Sequence, residues 1–168
     1  MQTNRKKLVI GVGEVLWDML PSGKQIGGAS ANFAYHAQTL GAEATLVSSV
    51  GNDPLGREIL ERLAAMQVSV HGVAIDPRAP TGTVSIAISP DGQPEFTIRE
   101  NVAWDQITVT DFARDITAQA DAVCFGSLAQ RNTTSRATIR SLVASTRPEA
   151  LRIFDVNLRQ NYFSKEII

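Results

Sequence analysis

The sequence is poor in the residues that specialised chemistry draws on. A single cysteine, Cys124, cannot form an internal disulfide, and a lone thiol fits a reducing compartment. Two histidines, His36 and His71, are too few for a histidine-based metal site. Aromatic residues make up only 6%, so the core must be built from Val, Ile, Leu and Ala. There is no excess of positive charge: 16 Lys and Arg stand against 17 Asp and Glu, for a net charge of −1. The basic footprint that neutralises nucleic-acid phosphates is therefore missing. No apolar run approaches the ~18 residues of a membrane span. Arg5, Lys6 and Lys7 followed by residues 8–13 begin like a secretory signal. That run stops at Glu14, short of the usual ~7–15 residues. No G-x-x-x-x-G-K-S/T loop occurs, which excludes P-loop chemistry. These absences predict a soluble, cytoplasmic chain that binds neither nucleic acid nor membrane.

What is there is the balance of a packed core, with 43% hydrophobic and 20% charged residues. A length of 168 residues suits one ordinary α/β domain or half of a larger enzyme. Apolar runs and helical patterns alternate along it. Residues 8–13 read as a short buried strand, and 30–40 as a helix with Phe33, Ala37 and Leu40 on one face and Gly41 as its stop. A second strand covers 44–50. Asp53-Pro54 then supplies an N-cap and an N1 proline for a helix striped with Leu55, Ile59, Leu63 and Met66. Further on, 110–119 reads as a helix, 121–125 as a strand holding Cys124, 134–146 as a helix with Ile139, Leu142 and Val143 inward, and 151–156 as a strand. Residues 162–168 open what looks like another helix.

The region 83–99 follows a different rhythm. Val84, Ile86 and Ile88 alternate with small or polar residues, and after a turn at Pro90-Asp91-Gly92 so do Phe96 and Ile98. This predicts a two-stranded hairpin with one apolar face, projecting from the sheet as a flap or lid. An uncovered face of that kind is also a surface for self-association.

Strands alternating with helices imply a parallel sheet flanked by helices in Rossmann-type layers. In such sheets ligands bind beyond the carboxyl ends of the strands. Those ends carry Gly13-Glu14, Gly51-Asn52-Asp53, Gly126-Ser127 and Asp155-Val156-Asn157-Leu158-Arg159, which points to a polar ligand site. Gly11-Val12-Gly13-Glu14-Val15-Leu16 lacks the third glycine of a dinucleotide fingerprint and the acid about 20 residues on. Gly27-Gly28-Ala29-Ser30-Ala31-Asn32 is the stronger signal, because two glycines at a helix start let backbone approach a ligand closely. Asn32 adds a donor and an acceptor, the pair that reads a sugar hydroxyl. The plainer alternative is a tight turn with Ser30 as N-cap.

Gly27-Gly28, Asn32, Ala34, Gly41 and Gly51 at these spacings resemble the first signature of the ribokinase-like (PfkB) carbohydrate kinases. The resemblance continues through residues 50–56, through Pro80-Thr81 before the hairpin, and into Phe154-Asp155-Val156-Asn157-Leu158-Arg159. Gly13-Glu14 with Asp18, and residues 155–159, look most like the fructokinase branch. The resemblance implies ATP-dependent phosphorylation of a free sugar, fructose before 2-keto-3-deoxygluconate, ribose or a nucleoside, with ATP and Mg2+ as cofactors. It assigns Asp18, Gly28, Asn32 and Arg99 to the sugar, and Asn157 and Arg159 to the neighbourhood of the transferred phosphate. It makes residues of about 15–27 and 81–102 a lid that closes over the sugar and pairs two subunits as a homodimer. Taken as residues alone, Asp18 can be a solvated acid, Arg99 a surface charge and Arg159 the partner of a carboxylate.

The family's second signature, a Gly-Ala-Gly-Asp run carrying the catalytic base, is not found in this sequence. No catalytic residue and no metal ligand is therefore expected here. The resemblance makes the chain the N-terminal part of a ribokinase-like domain, without the nucleotide-binding and catalytic part, and inactive by itself. A non-catalytic sugar-binding or dimerisation module is the competing expectation.

Overall fold

The computed structural model describes residues 5–88, 91 and 93–168. The chain begins with strand β1 (Leu8–Val12), every residue of which is buried. A strand hidden on both faces must be apolar throughout, and this one is. A hairpin of β2 (Leu16–Leu20) and β3 (Gly23–Gly27) follows, then helix α1 (Ala29–Thr39) and strand β4 (Glu43–Gly51). Helix α2 (Pro54–Ala65) is capped as its sequence predicts: Asp53 accepts from the Gly56 amide at 2.8 Å and Pro54 opens the first turn. Strand β5 (Ser69–Asp76) leads to a second hairpin, β6 (Gly82–Ile88) and β7 (Pro94–Ile98). A single 3-10 turn over Ala103–Gln106, helix α3 (Asp111–Ala118), strand β8 (Ala122–Gly126), a second 3-10 turn over Leu128–Gln130, helix α4 (Thr133–Ala144) and strand β9 (Leu151–Asp155) complete the order.

Five strands form a wholly parallel sheet in the order β5-β4-β1-β8-β9. Helices cover both faces, as expected. On one face Ala31, Ala34, Ile59 and Leu63 of α1 and α2 pack with Leu46, Val50 and Trp17. On the other, Ile139 and Leu142 of α4 pack with Ile10, Val12, Val47 and Val123. Leu46 and Val47 serve opposite faces because successive strand side chains alternate. The remaining strands form a second sheet, β3-β2-β6-β7. Its hairpins are inserted after β1 and after β5, so it stands over the carboxyl ends of the parallel strands.

Several local expectations are corrected. The inward face of α1 is Ser30, Ala31 and Ala34, with Ala37 partly buried against the same core as expected, whereas Leu40 is 87% exposed and Phe33 is outside the buried set. Small side chains let the helix lie close on the sheet, where the larger ones would hold it away. Met66, placed on the buried stripe of α2, is 42% exposed at its end. Residues 162–168 form turns and no helix; their only i→i−4 backbone bond is Ile168 to Ser164. So short a segment cannot recover the cost of helix nucleation without a packed face, and Phe163 lies exposed. Strands β2, β3 and β5 are half-exposed and mixed in polarity, so no alternating or continuous apolar pattern marks them in the sequence.

The apolar face of the β6–β7 hairpin is real, with Val84 opposite Ile98 and Ile86 opposite Phe96. It is not uncovered at its root: Val84 and Ile98 are buried against Leu16, Val102, Trp104 and Leu128. Only toward the tip does Phe96 stand open. Of the turn expected at Pro90-Asp91-Gly92, residues 90 and 92 lie outside the described residues. Among the described residues no helix is long and apolar enough to cross a membrane.

Candidate functional site

A cleft of about 550 Å³ lies between the carboxyl ends of β1 and β9 and the inner face of the second sheet. This is the size and place of a small-molecule site in an open α/β sheet. Its polar floor is Glu14, Asp18, Gln25, Asn32, Asp155, Asn157 and Arg159, and its apolar wall is Val84, Ile86, Phe96 and Ile98 of the β6–β7 hairpin. Five of the six residues assigned from the sequence therefore converge on one cavity: Asp18, Gly28, Asn32, Asn157 and Arg159.

Each arrives by a different route. Asp18 sits on β2, paired with Gln25 of β3. Its carboxylate lies in the space that a side chain on Gly27 would enter. Burial pushes the Asp18 carboxyl above its usual range, and the Arg159 guanidinium opposes the shift. Gly28, not Ser30, is the N-cap of α1, at φ 104, and a Cβ there would overlap the Glu14 carbonyl oxygen. Ser30 instead donates its hydroxyl to the Val12 carbonyl at 3.0 Å, tying helix to strand. The Asn32 amide donates to the Gly28 carbonyl at 2.9 Å, so the glycine turn sets where Asn32 stands.

Asn157 is pinned through its backbone by one hydroxyl. Ser127 Oγ donates to its carbonyl at 2.8 Å and accepts from its amide at 2.9 Å. Arg159 Nε donates to Asn157 Oδ1 at 3.0 Å, so the two side chains move as a pair. Gly51-Asn52-Asp53 does not reach the cleft. Asp53 is occupied with structure, accepting from Gly56 and from the amide and hydroxyl of Thr81.

Arg99 is the assigned residue that the fold leaves out of the lining. Ile98 faces the cleft, and strand alternation turns the next side chain away. The backbone of Arg99 has a different use, accepting from Arg131 Nη2 at 2.6 Å. Arg131 also grips Asp105 through two bonds of 2.7 and 2.8 Å, with both side chains buried. Its guanidinium lies 4.0 Å from the Trp104 ring centroid and 4.6 Å from that of Tyr162. This buried pair had no signal in the sequence.

A model of the pfkB family carbohydrate kinases matches residues 22–161. The chain belongs to this family. The uncharacterized sugar kinase PH1459 of Pyrococcus horikoshii is 32% identical over 163 residues, covering 90% of this chain and 52% of that protein. Its crystal structure superposes with a TM-score of 0.83 at 30% identity, over 96% of this chain and 57% of that one. A crystal structure of the same protein in complex with ATP gives 0.79 at 30% identity, over 92% and 54%. Fructokinase-1 of rice, Oryza sativa subsp. japonica, is 29% identical, over 93% of this chain and 53% of that protein. The 2-dehydro-3-deoxygluconokinase of Thermoproteus tenax is 31% identical over 81% of this chain and 42% of that protein. The chain thus spans about half the length of the curated relatives it matches.

Within this pfkB fold, two acids on the cleft carry no role in the sequence reading, Glu14 and Asp155. Glu14 is 1% exposed. One of its oxygens, Oε1, accepts from the Ala29 amide at 2.9 Å, and the other, Oε2, is buried with no partner. Burial pushes its carboxyl up to about 7; hydrogen bonds from its own amide and that of Ala29 pull the other way, and Asp155 adds to the rise. An acid directly after a buried strand, at the strand's carboxyl end, was the available signal. Cys124 is buried on β8 and its thiol is pushed up to about 11 by burial and the nearby acids, so it is inert at neutral pH. Trp17 and Trp104 are fully buried packing residues. Among the described residues no group of three or more His, Cys, Asp or Glu is placed to hold a metal ion.

Proposed function

We propose that this chain is the sugar-binding half of an ATP-dependent kinase whose acceptor is a neutral ketose, fructose before other sugars. The observation that carries the reading is the charge of the cleft. Among the described residues Asp18 and Asp155 line it against the one cation Arg159, and Glu14, which exchanges its proton near neutral pH, adds to the acidic side. Asp18 accepts hydroxyl protons, and Asn32 both donates and accepts, which is the pairing a polyol needs. A 2-keto-3-deoxy sugar acid would bring a carboxylate toward that acidic floor, and Arg99, which could have held it, is not in the lining. Fructokinases among the relatives support the same choice.

ATP supplies the phosphoryl group and Mg2+ offsets its charge. This chain's part is to bind and orient. Asp18, Gly28 and Asn32 hold the sugar, the lid's apolar wall excludes water, and Arg159, steadied by Asn157, meets the phosphate as a planar cation. The base that takes the hydroxyl proton is outside these residues, so the 168-residue chain alone is inactive. A cytoplasmic location fits this reading, since ATP is at hand there and a lone thiol stays reduced. The exposed Phe96 beside Ile86 at the lid is the surface left for a second copy.

Calorimetry with fructose and with 2-keto-3-deoxygluconate tests the substrate. Fructose is expected to bind more tightly, and Asp18→Ala to weaken it about tenfold or more, the effect of one buried hydroxyl partner lost. Tighter binding of the sugar acid, or an Asp18→Ala chain that binds fructose as the parent does, overturns the reading. A coupled ADP-release assay reaching about 1 s⁻¹, the low end of common turnover rates, would show that the base is in this chain after all. Light scattering should give a dimer that Phe96→Lys shifts to monomer; a monomeric parent removes the lid from self-association.

A further inference from the structure

Helix α1 starts without any cap of its own. Gly28 has no side chain to offer, and the first turn holds no acid. The first amide of the helix, that of Ala29, is satisfied from outside by Glu14 Oε1. The same residue touches the turn a second time, because the Gly28 Cα packs against the Glu14 carbonyl closely enough to forbid a Cβ. The Ser30 hydroxyl ties the helix body to β1 through the Val12 carbonyl, so the tilt of the glycine turn itself is left to Glu14. Asn32 depends on that tilt through its bond to the Gly28 carbonyl. The partnerless Oε2 on a side chain 1% exposed is a second mark of a group kept for something other than stability, since a buried acid with an unsatisfied oxygen is costly.

We propose that Glu14 is a positioning residue for the carbohydrate site, holding the Gly27–Gly28 turn and the first turn of α1 so that Gly28 and Asn32 face the ligand. The proposal rests on the sugar-kinase reading for the identity of the ligand, not for the contact itself. The groups around Glu14 are Asp155 at the end of β9, which opposes its charge, and Arg131 beyond the Leu128–Gln130 turn, which favours it. On β8 the Cys124 thiol feels the Glu14 charge in return. Asp18 of β2 and Arg159 share the cleft. Because burial brings Glu14 up to about 7, acid and carboxylate interchange near neutral pH. Both forms accept from Ala29, and the carboxylate does so more strongly. The turn is therefore held more tightly as pH rises, even though charging a buried acid lowers the stability of the native state.

The test uses the 168-residue chain with Glu14→Gln, which keeps shape and acceptor but cannot titrate, and Glu14→Ala, which keeps neither. Amide NMR between pH 5.5 and 8.5 should show the Gly28, Ala29 and Asn32 signals of the parent moving together, with a midpoint near 7. The same signals should stay flat in Glu14→Gln. At pH 5.5, where Glu14 is protonated, exchange of the Ala29 amide with solvent should be unchanged in Glu14→Gln and about tenfold faster in Glu14→Ala, the loss of one hydrogen bond. Fructose affinity should be rescued by Gln and lost with Ala. An Ala29 signal that does not titrate in the parent, or that still titrates in Glu14→Gln, overturns the proposal. So does Ala29 exchange in Glu14→Ala equal to the parent's. If the parent shows no fructose binding while the amide signals behave as described, the substrate reading fails and the positioning role stands. Should Glu14→Ala unfold by circular dichroism, the Gln titration alone decides.

Discussion

Removal of the Asp105 carboxylate should be among the most damaging single changes in this fold. Arg131 reaches Asp105 with Nε at 2.7 Å and Nη2 at 2.8 Å, and the two side chains are 7% and 4% exposed. Asp105 Oδ2 also accepts from the Val102 amide at 3.1 Å. In Asp105→Ala the two bonds of the ion pair and the bond from the Val102 amide vanish, and a guanidinium is left in the interior. Arginine cannot shed its proton to escape that penalty. Breaking a buried pair from one side costs about 3–5 kcal/mol, a large part of the ~5–15 kcal/mol that holds a domain together. Pairing Asp105→Ala with Arg131→Met removes the stranded charge, so the double variant should be more stable than Asp105→Ala alone. Asp105→Asn, which keeps volume and one acceptor, should fall between parent and Ala and serves if the Ala variant does not fold. Urea unfolding followed by tryptophan fluorescence reports this, because Trp104 lies against the guanidinium. A loss below about 1 kcal/mol in Asp105→Ala, within the range of an exposed ion pair, would refute the reasoning. Equal or greater damage in the double variant would refute it too. The same guanidinium holds the Arg99 carbonyl, so amide exchange at the root of β7 should quicken in Asp105→Ala.

Three further outcomes are expected. Glu14 has its folded-state pKa raised from 4.5 to about 7, so the native state keeps a proton that the unfolded chain releases; stability attached to it is full below pH 4.5 and falls as pH rises to 7. Relative to Glu14→Gln, the parent should lose about 2 kcal/mol between pH 5 and 8 in parallel urea titrations, and a constant difference across that range would contradict the burial of an ionisable Glu14. Gly28→Ala must force a side chain into φ 104 against the Glu14 carbonyl; it should cost about 1–3 kcal/mol and abolish sugar binding, read by thermal unfolding and calorimetry. Asp53→Ala should cost about 1–2 kcal/mol for the cap. Burial raises the Asp53 carboxyl, but the Thr81 and Gly56 hydrogen bonds outweigh it and the net shift is downward. Its contribution is present above pH 4 and lost as pH falls further, so the cost of Asp53→Ala should shrink in thermal melts at pH 3 and persist at pH 7.

The sequence by itself determined the elements whose signals are local. Buried strands such as β1 and β8 announce themselves as continuous apolar runs, and Asp53-Pro54 marks the start of α2 to the residue. The resemblance of the sequence to the pfkB kinases picked out Asp18, Gly28, Asn32, Asn157 and Arg159, which the fold brings to one cavity. Half-exposed strands stayed hidden: β5 is an edge strand with a break in its register, and β2 and β3 mix buried Trp17 with open Met19 and half-buried Lys24. Only the tertiary structure decided which charges are buried. Glu14 meets Ala29 across 15 positions and Arg131 meets Asp105 across 26; the end of a buried strand marks Glu14 as near a ligand site, but the partners that bury either charge lie far along the chain. Only the tertiary structure, too, turned Arg99 away, since the face of a strand residue depends on which neighbour lies in the core. Composition and spacing act over a few residues; desolvation and pairing are set by what the fold brings in from far along the chain.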